Sequence, residues 1–114
     1  MLKIDVEYKR GILFVRLNGG LNKATIGNLQ DILERSIKNA GIKYIMINCE
    51  KLWSIDDSSI SAINKQCLEL LKNDGKLFFC GINDYVKIDI TSSELNNKIY
   101  KTNNEIGVFS IVSV

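Results

Sequence analysis

The sequence predicts a layered α/β domain with a partly parallel sheet, in the order β-β-α-β-α-β followed by a less regular tail. Three observations support this prediction. Two strand-like segments at the N-terminus are separated by Arg10-Gly11. Two later segments have apolar residues at helical spacing. Between them, residues 42–49 form a nearly continuous apolar run, which is typical of a central strand covered on both faces.

The first two strands are predicted to form a hairpin. In the first strand four apolar residues alternate with charged ones, which indicates one wet and one dry face and hence an edge strand: Leu2, Ile4, Val6 and Tyr8. Residues 12–17 form the second strand. Gly19 and Gly20 then break the pattern, and we interpret them as a tight turn, because no glycine-rich phosphate-binding motif includes them.

The first helix is predicted over residues 26–38, with Asn22 or Thr25 as its cap and Gly41 as its left-handed end. After the central strand, residues 50–55 read as a connecting loop. A second helix then begins near residue 57 or 58 and ends at Asn73-Asp74-Gly75. One face of that helix is apolar: Ile60, Ile63, Cys67, Leu70 and Leu71.

The remaining chain gives weaker signals. Residues 76–81 form a strand bounded by glycine. Residues 85–90 suit a short helix, and residues 98–100 suit a short last strand. Residues 105–112 suit either a closing helix or a strand, because Gly107 and the β-branched residues disfavour a helix.

Composition excludes several classes of function. The 114 residues carry a net charge of +2 with acids and bases interspersed, so neither a nucleic acid nor a membrane is an expected partner. There is no histidine, which excludes a Ser-His-Asp triad and makes a zinc site improbable. The three cysteines have no metal-binding spacing and are expected to be buried, reduced thiols. We therefore expect a cytoplasmic protein that is not an enzyme and binds no cofactor.

The chemistry concentrates in the segment Asp56-Asp57-Ser58-Ser59 at the start of the second helix. An aspartate and serines there are common helix caps, which is the simpler interpretation. A phosphate on Ser58 would also suit the positive end of the helix dipole, while the two aspartates would repel it. An acid–base pair or a Mg²⁺ site is less favoured, because adjacent residues diverge and no third ligand is present. Trp53 precedes this segment. We interpret it either as a residue that packs against the domain or as an anchor for a docking partner.

The order of these motifs resembles the STAS domains, and within them the bacterial anti-sigma factor antagonists. Gly19-Gly20-Leu21-Asn22 stands where that family has Gly-x-Leu-Asp. The run from Ile55 to Ile60 stands where the family has an apolar residue followed by Asp-Ser-Ser-Gly-Leu. Aligned without a gap, Asp57 takes the place of the first serine, Ser58 that of the phosphorylated serine and Ser59 that of the glycine.

The resemblance implies a single STAS domain over residues 1–114, with a mixed sheet of four to five strands and helices mainly on one face. It also implies a partner switch: the protein binds an anti-sigma factor that is also a serine kinase, phosphorylation of Ser58 (alternatively Ser59) releases it, and a PP2C-type phosphatase resets it. The implied partner surface consists of Asn22, Trp53, Asp56, Asp57, Ser58 and Ser59. The alternative is a scaffold or accessory subunit of a stress-sensing assembly or lipid transporter, without phosphorylation.

Overall fold

The computed structural model describes residues 1–112. Its five-stranded sheet has the strands in sequence order, with the first pair antiparallel and all the others parallel. This confirms the predicted mixed sheet and places the first strand at an edge. The strands are β1 (Leu2–Lys9), β2 (Ile12–Leu21), β3 (Tyr44–Ile55), β4 (Lys76–Cys80) and β5 (Tyr100–Thr102).

Three α-helices cover one face of the sheet: α1 (Ile26–Glu34), α2 (Asp57–Lys72) and α3 (Lys87–Thr91). A short 3₁₀ helix, Glu105–Ser110, covers part of the opposite face. The prediction of helices mainly on one face is therefore confirmed. Within residues 1–112, no helix combines the length and the apolar content that crossing a membrane requires.

The sheet separates two apolar cores because side chains alternate between its faces. The larger core lies under the α-helices and contains Ile45 and Ile47 of β3. The smaller core lies under the 3₁₀ helix and contains Met46 together with Phe78. Strand β3 is thus covered on both faces, as its continuous apolar run predicts.

The prediction of a tight turn at Gly19 and Gly20 is wrong. Both glycines lie inside β2, which continues to Leu21. Gly19 pairs with Leu2 of β1 and Gly20 pairs with Ser54 of β3, so both belong to the sheet. A Cβ on Gly19 would collide with the Met1 carbonyl oxygen, and its φ of +131° disfavours other residues. Glycine here permits a close approach of strands, which the alternation pattern does not reveal.

The loop predicted over residues 50–55 is also wrong, because β3 runs on to Ile55 beside the extended end of β2. The register between these strands shifts twice, so apolar and polar residues do not alternate regularly over residues 50–55. The sequence pattern therefore does not indicate this part of β3. Asn83 supports the irregular part: its Nδ2 donates to the carbonyl oxygens of Cys49 and Leu52, at 3.0 and 2.8 Å.

Helix boundaries agree with the predictions in part. The first helix changes to a π-helical turn, Arg35–Asn39, and Gly41 follows with φ +65°, which confirms its left-handed conformation. After α2 the left-handed residue is Asp74, within the predicted end Asn73-Asp74-Gly75. The spacing predicts Leu71 on the apolar face of α2, but its side chain is 39% exposed, because it lies at the margin of that face.

The tail also differs in detail from its prediction. The short helix begins at Lys87, and the last strand lies two residues later than expected, at Tyr100–Thr102. The closing segment is neither an α-helix nor a strand: it forms the 3₁₀ helix, whose first turn is capped by Asn104 through the Gly107 N–H. A short 3₁₀ turn suits a segment that contains glycine and β-branched residues.

Candidate functional site

Helix α2 begins at Asp57, within the predicted start near residue 57 or 58, and of the two aspartates it is Asp56 that is the N-cap residue, in an extended conformation. The Asp56 Oδ1 atom accepts a hydrogen bond from the backbone N–H of Ser59 at 2.8 Å, and another from the Ser58 hydroxyl at 2.9 Å. One carboxylate oxygen therefore satisfies a free N–H of the first turn and also orients the Ser58 side chain.

These contacts favour the charged form of the Asp56 carboxyl. The Ser59 side chain, the Ser59 backbone N–H and the Ser58 hydroxyl lower the pKa of Asp56, while partial burial opposes them. Asp56 is therefore a carboxylate at neutral pH. Asp57, in the same turn, is exposed to solvent, so the start of α2 carries two acidic groups.

The two serines of the first turn differ in accessibility. Ser58 is partly exposed, and its hydroxyl bonds only to Asp56 among the described residues. Ser59 is 0% exposed, and its hydroxyl makes no hydrogen bond of normal geometry within residues 1–112. The inclusion of Ser59 in a partner surface is therefore wrong in this conformation, because α2 packs that side of its first turn onto the domain.

Strand β2 ends directly beside the start of α2. The Asp56 backbone N–H donates to the Leu21 carbonyl oxygen at 3.1 Å, which joins the two segments. Asn22 comes next and is exposed, with its Oδ1 accepting from the Ala24 N–H at 2.8 Å. Thr25 occupies the α1 cap position without a capping bond; its hydroxyl donates instead to the Gly20 carbonyl oxygen at 2.9 Å.

Trp53 lies at the same end of the sheet, on β3, and its side chain is 63% exposed. A Cβ on the neighbouring Gly20 would lie 3.3 Å from the indole Nε1 and 2.5 Å from the Ser54 Oγ, so the missing side chain leaves room for both. The indole is thus placed over glycine backbone rather than in the core. This position suits the docking interpretation of Trp53 better than the packing interpretation.

The structure therefore brings five of the six predicted residues to one end of the molecule, which we call the α2 surface: Asn22, Trp53, Asp56, Asp57 and Ser58. It contains an accessible hydroxyl, an exposed aromatic ring and two acidic groups. Throughout residues 1–112, no three histidine, cysteine, aspartate or glutamate side chains form a group suited to a metal ion. The α2 surface has the chemistry of a docking site with a modifiable serine.

A second polar cluster, centred on Arg16, was not singled out from the sequence. On the sheet face opposite the α-helices, the Arg16 guanidinium donates to Asp5 and Glu7 of β1 and to both carboxylate oxygens of Glu105, at 2.8–2.9 Å. Hydrogen bonds from Arg16, and then from Asn48, lower the pKa of Glu105. The hairpin register, which pairs Asp5 with Arg16, is the sequence signal that points to part of this cluster.

Comparison with known proteins places this architecture in a family. The model of the STAS domain family matches residues 3–108. The chain is 24% identical over 113 residues to an anti-sigma F factor antagonist from Paenibacillus polymyxa, covering 99% of this chain and 97% of that protein.

Solved structures give the same result for the fold. A putative anti-sigma factor antagonist from Thermotoga maritima has a TM-score of 0.88 at 14% identity, covering 97% of this chain and 95% of that one. The Bacillus cell fate determinant SpoIIAA in its phosphorylated form has a TM-score of 0.76 at 17% identity, covering 96% and 100%. At these identities the likeness establishes the fold alone, and the family follows from the match over residues 3–108. This chain belongs to the STAS domain family.

Proposed function

We propose that this protein is an anti-sigma factor antagonist: a binding module, not an enzyme, whose α2 surface docks onto an anti-sigma factor. The similarity to antagonists named as such supports this role. The observation that carries it is the arrangement of Ser58, an accessible hydroxyl in the first turn of α2, beside an exposed tryptophan. We further propose that residues 1–114 act as one STAS domain in the cytoplasm.

Ser58 is the proposed phosphorylation site. The residue is partly exposed, whereas a kinase could reach the Ser59 hydroxyl only after the start of α2 had detached from the core. The solved phosphorylated form of a structural relative is consistent with a modified member of this fold. The proposed partner is an anti-sigma factor that is itself a serine kinase, with ATP bound to that kinase. A PP2C-type phosphatase would remove the phosphate.

The contact between Ser58 and Asp56 suggests how a phosphate would act. Esterification removes the hydroxyl hydrogen, so Ser58 can no longer donate to the Asp56 carboxylate. A phosphate charge of about −1.5 to −2, about 4 Å from the Asp56 carboxylate in water, is repelled by about 1.5–2 kcal/mol, and the helix dipole returns about 0.3–1 kcal/mol. The net effect is a repulsion of about 1 kcal/mol. The phosphoserine is therefore expected to turn toward solvent and leave the fold unchanged.

The surface charge would change much more than the fold. The two acidic residues, Asp56 and Asp57, contribute about −2, and a phosphate adds about −1.5 to −2. A partner that accommodates a neutral hydroxyl at this position would then face nearly twice the negative charge. Release of the partner follows from electrostatic repulsion and from loss of a buried contact at Ser58.

A second candidate, a scaffold or accessory subunit of a stress-sensing assembly or lipid transporter, is favoured by one observation. Ser58 already bonds to the N-cap residue, and the Asp57 carboxylate lies in the same turn. In that role Ser58 would contribute only to capping, and assembly would not depend on its charge.

The test begins with peptide mass analysis of the protein isolated from its own organism. We expect one phosphate on Ser58 and co-purification of a kinase-fold anti-sigma factor with the unmodified form. Binding to that factor is then measured for Ser58→Asp, Ser58→Ala and Ser61→Asp. Ser61 lies on the exposed face of α2 one turn later, so it controls for added charge on this helix.

The proposal requires that Ser58→Asp weakens binding at least tenfold, while Ser58→Ala and Ser61→Asp bind nearly as well as the unmodified protein. No phosphate on Ser58 in several growth conditions, together with a stable complex that tolerates Ser58→Asp, would establish the scaffold role instead.

A further inference from the structure

A groove of about 770 Å³ lies on the sheet face opposite α1 and α2, between β1 and residues 103–106. Its floor includes Arg16 and Asn18 of β2, Asn48 of β3 and Cys80 at the end of β4. The groove crosses β2 and β3 in the middle of each strand and meets β4 at its carboxyl end. Its volume is within the range of small-molecule sites.

One side of the groove has its polar groups already paired. Arg16 bonds to Asp5, Glu7 and Glu105, and Asn48 bonds to the same Glu105 carboxylate at 2.9 Å. A ligand gains little from groups whose hydrogen bonds are satisfied, because it must first displace their partners. This side therefore forms a rigid wall that carries the 3₁₀ helix.

The other side has free donors in one row across three strands. Lys3 of β1 pairs with Asn18 of β2, and Asn18 pairs with Lys51 of β3. Within residues 1–112, these three side chains make no ion pair and no side-chain hydrogen bond. The exposed Glu50 also lines this side of the groove, so two lysines face one carboxylate there. Neighbouring strands lie about 4.8 Å apart, so the two lysine backbones are separated by about 10 Å. Flexible lysine stems allow both ammonium groups to reach one anion between them.

The groove also has apolar surface on the side of residues 103–106. Ile106, at the start of the 3₁₀ helix, is 76% exposed and lines the groove. An exposed isoleucine in the same groove as unpaired lysines suits a ligand with an apolar body and a negatively charged end.

We propose that this groove binds a small organic molecule that carries a carboxylate or phosphate group. Lys3, Asn18 and Lys51 hold the anionic group, and Ile106 contacts the apolar body. The groove lies on the face opposite α1 and α2 and shares no residue with the α2 surface, so this site does not depend on the function proposed for Ser58.

Three fragments with the same ring test the proposal: benzoate, its neutral analogue benzamide, and phenyl phosphate. Each is titrated into ¹⁵N-labelled protein and followed by amide chemical shifts at constant pH and ionic strength. We expect benzoate, phenyl phosphate or both to shift amides at residues 16–18, 50–51, 80–81 and 103–106, and benzamide to shift them at least tenfold more weakly. Comparing benzoate with phenyl phosphate identifies the preferred anion.

Two double variants with the same change of net charge provide the control. Lys3→Gln/Lys51→Gln removes the proposed anion contacts and is expected to weaken binding at least tenfold. Lys43→Gln/Lys65→Gln removes two exposed lysines that do not line the groove and is expected to leave binding unchanged. All four side chains are exposed, so both variants are expected to retain the fold, which their spectra report.

Three results would overturn the proposal: saturable shifts confined to residues 56–60, equal weakening by the two double variants, and no saturable shift with either anion at millimolar concentrations.

Discussion

Replacing Asp56 by alanine removes the acceptor that begins α2. The Asp56 Oδ1 accepts from the Ser59 N–H and the Ser58 hydroxyl, and alanine provides neither contact. Loss of such a cap costs about 1 kcal/mol, within a range of about 0.5–2 kcal/mol. For a domain of 114 residues, the entropy of unfolding converts 1 kcal/mol into a decrease in Tm of about 4 °C.

Thermal unfolding followed by far-ultraviolet circular dichroism measures this effect, with Asp56→Asn as the matched control. Asparagine keeps a side-chain oxygen for the Ser59 N–H and is an equally good N-cap residue. We therefore expect Asp56→Asn to unfold within about 1 °C of the wild-type protein at pH 7, a few tenths of a kcal/mol on the same conversion. An alanine variant as stable as the wild type, or an asparagine variant as unstable as alanine, would refute the capping argument.

The pH dependence gives an independent check with a defined sign. The pKa of Asp56 is lowered in the folded protein relative to about 3.9 in the unfolded chain. Its charge therefore stabilises the fold above the unfolded value, and this contribution is lost as the pH falls through the folded pKa. Below about pH 4 the wild type is therefore expected to lose stability relative to Asp56→Asn, whose side chain does not titrate.

Three further predictions concern the scaffold. Glu105→Ala should lower the free energy of unfolding by about 1–2 kcal/mol, measured in urea, because Arg16 and Asn48 lose a shared acceptor. Gly27→Ala, in α1, should raise the free energy of unfolding by about 0.5–1 kcal/mol. Gly41→Ala should lower it by about 1–2 kcal/mol, because Gly41 has a positive φ. The three buried thiols should react with a thiol reagent only after unfolding; burial also raises the pKa of Cys80 to about 12.

Each of these has a result that would contradict it. Unchanged stability of Glu105→Ala would show that the Arg16 cluster does not hold the 3₁₀ helix in place. Equal effects at Gly27 and Gly41 would mean that backbone conformation does not distinguish the two glycines. Rapid reaction of a thiol in the native protein would show that the cores open far more often than their burial suggests.

The sequence alone determined the order of the elements, the edge position of the first strand and an aspartate cap at the start of α2. Each of these depends on local chemistry: alternation along a strand, apolar spacing along a helix, or one side-chain oxygen next to free N–H groups. The α2 surface was also predictable in outline, because Asp56, Asp57 and Ser58 are neighbours at a helix start.

Only the tertiary structure decided how far β2 and β3 extend and which serine is accessible. The register shifts between these strands break the alternation, and the glycines at the end of β2 serve close packing rather than a turn. Ser58 and Ser59 offer the same hydroxyl group at adjacent positions of the first turn. The packing of α2 onto the sheet buries one hydroxyl and leaves the other accessible, which depends on contacts between residues far apart in the chain.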